Sequence, residues 1–311
     1  MLKAFFLAGP TATGKTAVCQ LIAETDHFDI LSADAMLVYR GMNIGTAKPD
    51  DVFRSRVRYW GLDLVDAHET FSVGMYRDYA LSVFRETAAA GRRLIVTGGT
   101  GLYIKSLTHG LRARPAADEK IRTEADEIMR RDGVEALQRW TERKAPELYE
   151  ALADKKNPRR LVRAVEAAQN TVAGPQAGWR ELGPGPKILG LAMPMGQLHE
   201  RIRLRVEAMY AGGLLGEAER LLKAGIETSS TAGKAIGYAE AIGVLRGALT
   251  PEDAVAKTAA RTRQLAKRQM TWFRNQANVE WLAIDSATPI EAIAGDVLKY
   301  WKKNGPTPIA G

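Results

Sequence analysis

Residues Gly9–Thr16 have the sequence GPTATGKT. They follow the apolar run Phe5–Ala8 and fit G-x-x-x-x-G-K-[ST], the loop whose backbone amides cradle a diphosphate. Gly9 and Gly14 let the backbone approach phosphate oxygens, Lys15 brings a point charge, and Thr16 offers a hydroxyl to a magnesium ion. Pro10, Thr11, Ala12 and Thr13 complete the cradle, and the helix behind it adds the partial positive charge of its N-terminus. A strand before and a helix after distinguish a working phosphate loop from a chance match. What carries the phosphates stays open: a nucleotide to be cleaved, or another molecule ending in two of them.

Val18, Leu21 and Ile22 keep helical spacing after the loop, and FDILSAD is a second short apolar run ending at Asp34. VRYWGLDLVD is a third candidate strand. Ser72 caps a predicted helix running to about Ala90, closed by Gly91, and RRLIVTGG is a buried strand ending in glycines. This alternation predicts an α/β fold: a P-loop NTPase-like core with a parallel sheet flanked by helices. From Arg112 the pattern changes to long polar helices, with Asn157 and Pro158 as cap and first turn of one of them. A Gly/Pro-rich connector (TVAGPQAGWRELGPGP) follows, then KILGLAM returns as a strand and VEWLAI is the last. The expected division is a catalytic core of residues 1–111 and 181–311, interrupted by an all-helical insertion over 112–180.

Composition narrows the class. The 311 residues are 46% hydrophobic and 26% charged, as in ordinary globular proteins, and the longest apolar stretches are of strand length, so no membrane span is expected. The N-terminus does not read as a secretory signal, because its apolar segment is short and passes straight into the phosphate loop. One cysteine, Cys19, excludes an internal disulfide, and the four histidines show no zinc-ligand spacing, so a cytoplasmic protein is expected. Net charge is +8; residues 1–110 hold 12 basic and 11 acidic side chains, leaving +7 for the rest. That excess suits a polyanion-binding surface beside a catalytic core, or a solvated basic face.

An ATP- or GTP-cleaving loop usually has an acid at the end of a neighbouring strand, yet RRLIVTGG reaches Thr97 there, and no N-K-x-D guanine reader occurs. The best-placed carboxylate is Asp34, at the C-terminal end of the second strand, the end that faces the ligand crevice in an open α/β sheet. It serves as proton acceptor, metal ligand or turn cap. Thr100, in TGGTGLY, either contacts a substrate or caps the helix that follows, the commoner outcome. KKNPRRLVR carries five positive residues in nine, and Lys257–Arg274 carries six with no acid, over an apolar stripe of Leu265, Ala266, Trp272 and Phe273. Both suit phosphate-backbone contacts, or an ordinary solvated face.

Six segments occur in a fixed order: GPTATGKT (9–16), SADAMLVYRGMNIGTAKP (32–49), VTGGTGLYIKSL (96–107), NPRRLVRAVE (157–166), AIGYAEAIGVL (235–245) and TRQLAKRQMTWFR (262–274). Together they resemble the bacterial tRNA dimethylallyltransferases, from residue 4 to about 284. The resemblance implies prenylation of N6 of adenosine 37 in tRNAs reading codons that start with U. It implies that the loop holds the diphosphate of dimethylallyl diphosphate with Mg2+, and that diphosphate leaves without any phosphoryl transfer. Asp34 is then the proton acceptor, and Thr100 contacts the same adenosine. Arg201 and Arg205 reach toward the diphosphate. The implied tRNA contacts are Asp34, Ala35, Met36, Leu37, Thr100, Arg122, Arg159, Arg160, Leu161, Val162 and Arg163, with the insertion gripping the anticodon stem-loop. A monomer is expected. The sequence departs from the family at Ala35 and Leu37, which stand where Ser and Gln are usual, so only main-chain contacts are expected there. The alternatives are an adenylate isopentenyltransferase acting on free nucleotide, and a P-loop small-molecule kinase.

Overall fold

The computed structural model describes residues 2–111, 118–169, 183 and 185–310. The chain divides into two compact units, 1–111 with 182–311, and 112–181.

In the first unit, β1 (Lys3–Ala8) leads through the phosphate loop into α1 (Lys15–Asp26), followed by β2 (Phe28–Ser32), α2 (Asp51–Arg56), β3 (Tyr59–Trp60), α3 (Val73–Ala89), β4 (Arg93–Gly98) and α4 (Gly101–Thr108). The second unit holds α5 (Glu119–Lys144), α6 (Pro146–Glu150) and α7 (Pro158–Gln169). The chain returns to the first as β5 (Ile188–Ala192), α8 (Met195–Ala211), α9 (Leu214–Lys223), α10 (Tyr238–Leu245), α11 (Pro251–Gln276), β6 (Val279–Ala283), α12 (Ile290–Asn304) and β7 (Thr307–Pro308). The sheet order is β3-β2-β4-β1-β5-β6, all parallel, and β7 adds antiparallel to β1 through Lys3↔Pro308 and Ala4↔Thr307.

Strand alternation builds two cores, one on each face of the sheet. Leu7, Ile30 and Ile95 point to a layer of α1, α8 and α12 side chains, among them Val18, Ile22, Ile202 and Val297. Phe6, Leu31 and Val96 point the other way, against Val83 and Phe84 of α3, Ile104 of α4 and Phe273 of α11. Each fully buried side chain of this size contributes about 2 kcal/mol, so the register that puts Phe6 on one face and Leu7 on the other is strongly fixed. A third cluster (Val38, Tyr39, Met42, Leu214, Tyr238) lies under the segment 38–46.

The predicted α/β core is observed, with local differences. The third strand is only two residues long, because Gly61 turns the chain at φ 78°; beyond it a single bridge joins Tyr39 and Val65. The strand after α12 was not anticipated from the sequence, where VEWLAI reads as the last. Ser72 caps α3 as expected, its hydroxyl accepting the Met75 amide. In the second unit α5 breaks at Gly133, at φ 76°, and α5 packs with α7 around Ile121, Leu137, Trp140, Leu161 and Val165. The expected connector lies largely outside the described residues.

Candidate active site

The phosphate loop departs from β1 where Gly9 takes φ 137°; a Cβ at that position would collide with the Leu191 backbone of the neighbouring β5. Gly14 opens α1 at φ 89°, and Ala12 also adopts a positive φ. The curl is closed from inside: Thr13 Oγ1 donates to the Pro10 carbonyl (3.0 Å), and Lys15 Nζ donates to the same oxygen (2.6 Å). Lys15 is buried, and burial lowers its pKa to about 8, with Asp34 pulling the other way and Arg205 adding to the drop. A cation so poorly solvated gains much from an anionic ligand.

Two residues beyond β2, Asp34 forms an Asx turn in which its Oδ1 accepts the Met36 amide (2.9 Å). Its loop is bolted to the end of β4. The Ala33 amide donates to the Thr97 carbonyl (2.7 Å), the Thr100 amide to the Ala33 carbonyl (3.1 Å), and the Ala35 amide to Thr100 Oγ1 (3.0 Å). Thr100 occupies the N-cap position of α4 without a side-chain capping bond, which corrects the helix-cap alternative. Its hydroxyl is engaged as an acceptor by the Asp34 loop, leaving the O–H to be donated. The main-chain amides of residues 35 and 36 are both used, so the loop holds its shape with Ala35 in place of Ser. Leu37 contributes an apolar side chain to the cavity wall.

From α8, Arg201 Nε donates to the Ala12 carbonyl (3.0 Å), while Arg205 donates to Thr11 Oγ1 (3.2 Å) and the Thr46 carbonyl (3.1 Å). Burial lowers the Arg205 pKa, opposed by the nearby Asp34 charge. Residues Thr11–Thr16, Asp34, Arg201 and Arg205 meet around one cavity of about 390 Å3, with the exception of the inward-turned Thr13. Its apolar lining includes Ile30, Leu37, Phe53, Tyr59 and Leu62. The site therefore combines an anion cradle, apolar side chains that suit a hydrocarbon, and two carboxylates, Asp34 and Asp50, of which Asp50 is the N-cap of α2. The segment 43–48 forms part of the enclosure: Glu217 accepts the amides of Asn43 and Ile44, and buried Lys48 is paired with Asp63 at 2.7 Å.

Among the described residues no three His, Cys, Asp or Glu side chains cluster as ligands for a metal. Thr16 and Asp34 both border the cavity, and a hydroxyl, a carboxylate and the oxygens of a bound diphosphate are the sparse set magnesium accepts. No helix among the described residues is long and apolar enough to cross a membrane.

Sequence reasoning assigned no role to Gln269, although it lies in RQLAKRQ, where a polar residue on a basic helix carries no local signal. In the structure Gln269 lines the cavity, its Oε1 accepting the Thr11 amide (2.8 Å) and its Nε2 donating to the Gly99 carbonyl (3.1 Å).

The helical unit carries the other expected contacts. Arg122, Arg159, Arg160 and Arg163 are exposed. Arg122 and Arg163 both pair with Glu166, at 2.9 and 2.8 Å, whose carboxylate is otherwise buried. Leu161 corrects its expectation: it is fully buried in the core of this unit, so its side chain does not reach a ligand, and Val162 is half-buried.

With this geometry in view, comparison with known proteins is specific. The family model described as IPP transferase matches residues 37–276. The chain belongs to the IPP transferase family. It is 36% identical to a tRNA dimethylallyltransferase of Pelotomaculum thermopropionicum, over 94% of each chain, and 35% identical to one of Acetivibrio thermocellus, over 95% of this chain and 96% of that one. The crystal structure of a tRNA isopentenylpyrophosphate transferase from Bacillus halodurans superimposes with a TM-score of 0.69 at 33% identity, covering 98% of both chains. A eukaryotic dimethylallyltransferase acting on tRNA shares the fold, with a TM-score of 0.71 at 19% identity over 98% of this chain and 77% of that one.

Proposed function

We propose that the protein transfers the dimethylallyl group of dimethylallyl diphosphate to N6 of adenosine 37 in tRNAs reading codons that start with U, giving N6-(dimethylallyl)adenosine and diphosphate. The observation that carries this reading is the single cavity shared by the phosphate loop, Arg201, Arg205 and Asp34, with an apolar wall. The diphosphate fits the loop amides, Lys15 and the two arginines, and the five-carbon group fits the wall of Ile30, Phe53, Tyr59 and Leu62. The allylic C–O bond breaks as the N6–C bond forms. Negative charge grows on the departing oxygen, where preorganised donors are most effective. Adenine N6 is a weak nucleophile because its lone pair is delocalised into the ring; Asp34 accepts the proton it loses. Thr16 would hold a magnesium ion, which would supply charge neutralisation for the leaving group.

The adenosine leaves its loop stack to reach such a cavity, as base-modifying reactions generally require. Exposed Arg159 and Arg160, with Arg122 and Arg163, suit the phosphate backbone of an anticodon stem-loop. A kinase reading is disfavoured near the end of β4, where Thr97, its hydroxyl bonded to the Leu7 carbonyl (3.0 Å), takes the place of a magnesium-holding acid. A free-nucleotide prenyltransferase would have no use for the exposed arginines of the helical unit. Incubation with dimethylallyl diphosphate, Mg2+ and unmodified tRNA, followed by nucleoside mass analysis, should show adenosine heavier by one dimethylallyl unit. Prenylation of AMP in preference to tRNA, or ATP consumption with the prenyl donor ignored, would overturn the proposal.

A further inference from the structure

The geometry points to Gln269 as a positioning residue that ties the diphosphate cradle to the acceptor loop and so sets the distance over which the prenyl group moves. The inference rests on the prenyl-transfer reading for its kinetic consequence only; the tether itself is a property of the fold. The side-chain amide of Gln269 is used at both ends, on Thr11 N–H in the phosphate loop and on the Gly99 carbonyl. A backbone N–H needs an acceptor and a carbonyl needs a donor, and the neutral carboxamide in this orientation supplies both.

Each contact continues into the site. Thr11 also receives Arg205 on its hydroxyl. On the other side, the peptide between Gly99 and Thr100 is gripped twice: its carbonyl by Gln269, its N–H by the Ala33 carbonyl. The next link is Thr100 Oγ1, which accepts the amide of Ala35, beside Asp34. Helix α11 presses its side chains closely on this turn: a Cβ on Gly99 would displace Gln269 Nε2 from its bond, and one on Gly101 would overlap the Trp272 ring. The glycines of TGGTG and the Gln and Trp of RQMTW are thus two halves of one contact, which accounts for a segment that neither the phosphates nor the proton transfer uses.

A reaction between two bound groups loses about 100-fold for a misplacement near 1 Å. Gln269→Leu keeps size and neutrality and removes both bonds. It is expected to lower kcat about 100-fold while leaving KM for both substrates, and the affinity for magnesium pyrophosphate, within about threefold. The melting temperature should fall by no more than about 5 °C. Gln269→Glu retains an acceptor for Thr11 but has no donor for Gly99. Hydrogen exchange followed by peptide mass analysis should therefore show faster exchange at residues 9–13 and 99–101 in Gln269→Leu, and at 99–101 alone in Gln269→Glu. Exchange changes confined to 262–274, or an unchanged kcat in Gln269→Leu, would overturn the inference. Should the parent protein fail to prenylate any RNA, the functional proposal falls, and the exchange pattern alone decides the tether.

Discussion

Asp34 holds its turn through one carboxylate oxygen, on the Met36 amide, with Lys15 and Arg205 as neighbouring charges. Replacing it with Asn keeps that turn and removes the base, so Asp34→Asn should lower kcat by about 10²–10⁴-fold with tRNA binding retained in a filter assay. Near-normal turnover would dismiss Asp34 as proton acceptor. Thr100 is tested by a matched pair: Thr100→Ser keeps an acceptor for Ala35 N–H and should stay within about threefold of the parent kcat. Thr100→Val leaves that amide unpaired, costing about 1–3 kcal/mol of local stability, and should cut activity and speed exchange at residues 34–36. Cys19 gives a pH-dependent prediction. It is fully buried, and burial pushes its thiol up to about 12, so the stability it contributes is intact below the ordinary cysteine range and is lost as pH climbs toward that value. A disulfide-forming thiol reagent at pH 8 should label the native protein at least about 100-fold more slowly than the chain in denaturant. At this scale the phosphate loop was fully legible, because its signal is contiguous. Thr100 was half legible: its use by Ala35 depends on a residue far away in sequence, which helix-capping rules cannot see.

Among the elements, those with local signals were read well. Ser72 before α3 and Asn157 before α7 both do what short polar caps do, Asn157 Oδ1 accepting the Arg159 amide at 3.1 Å. Asn157→Ala should destabilise the helical unit by about 1 kcal/mol in urea unfolding and weaken tRNA binding, since α7 presents Arg159 and Arg160. Pro158 at the start of that helix softens the loss by pre-setting the backbone. Elements defined by partners were read poorly. Residues Leu62–Val65 have strand-like composition, yet the positive φ at Gly61 turns them away, and only a bridge to Tyr39 survives. The two-residue β7 contains Pro308, which lacks an amide to donate, and nothing in its sequence announces a pairing with residues at the other end of the chain. Leu161 shows the same limit: among five residues of RRLVR, the amphipathic pattern separates faces, but the buried one becomes certain only once α5 is seen against it.

For the whole molecule, the charge excess of the sequence lies mostly outside the helical unit, since residues 112–181 hold 15 basic and 13 acidic side chains, yet Arg159 and Arg160 stand exposed on α7. Arg159→Glu with Arg160→Glu should raise KM for tRNA at least about tenfold and reduce the dependence of log K on log salt by about two, with KM for dimethylallyl diphosphate unchanged. Reversing Arg122 and Arg163 instead would leave their partner Glu166 buried and uncompensated. If melting temperature alone responded, the arginines would be solvated surface. The last strand of the sheet has a different kind of consequence. β1 sits between β4 and β5, and its first residues are closed off by Thr307 and Pro308, with the Ile309 amide bonded to the Leu2 carbonyl at 3.0 Å. During synthesis β1 is made before every other strand of this sheet and is completed by the one made after them all, and until then its flank stays open to a neighbouring nascent chain. Shielding by a holdase during synthesis should matter more for this protein than for one whose central strand is paired early.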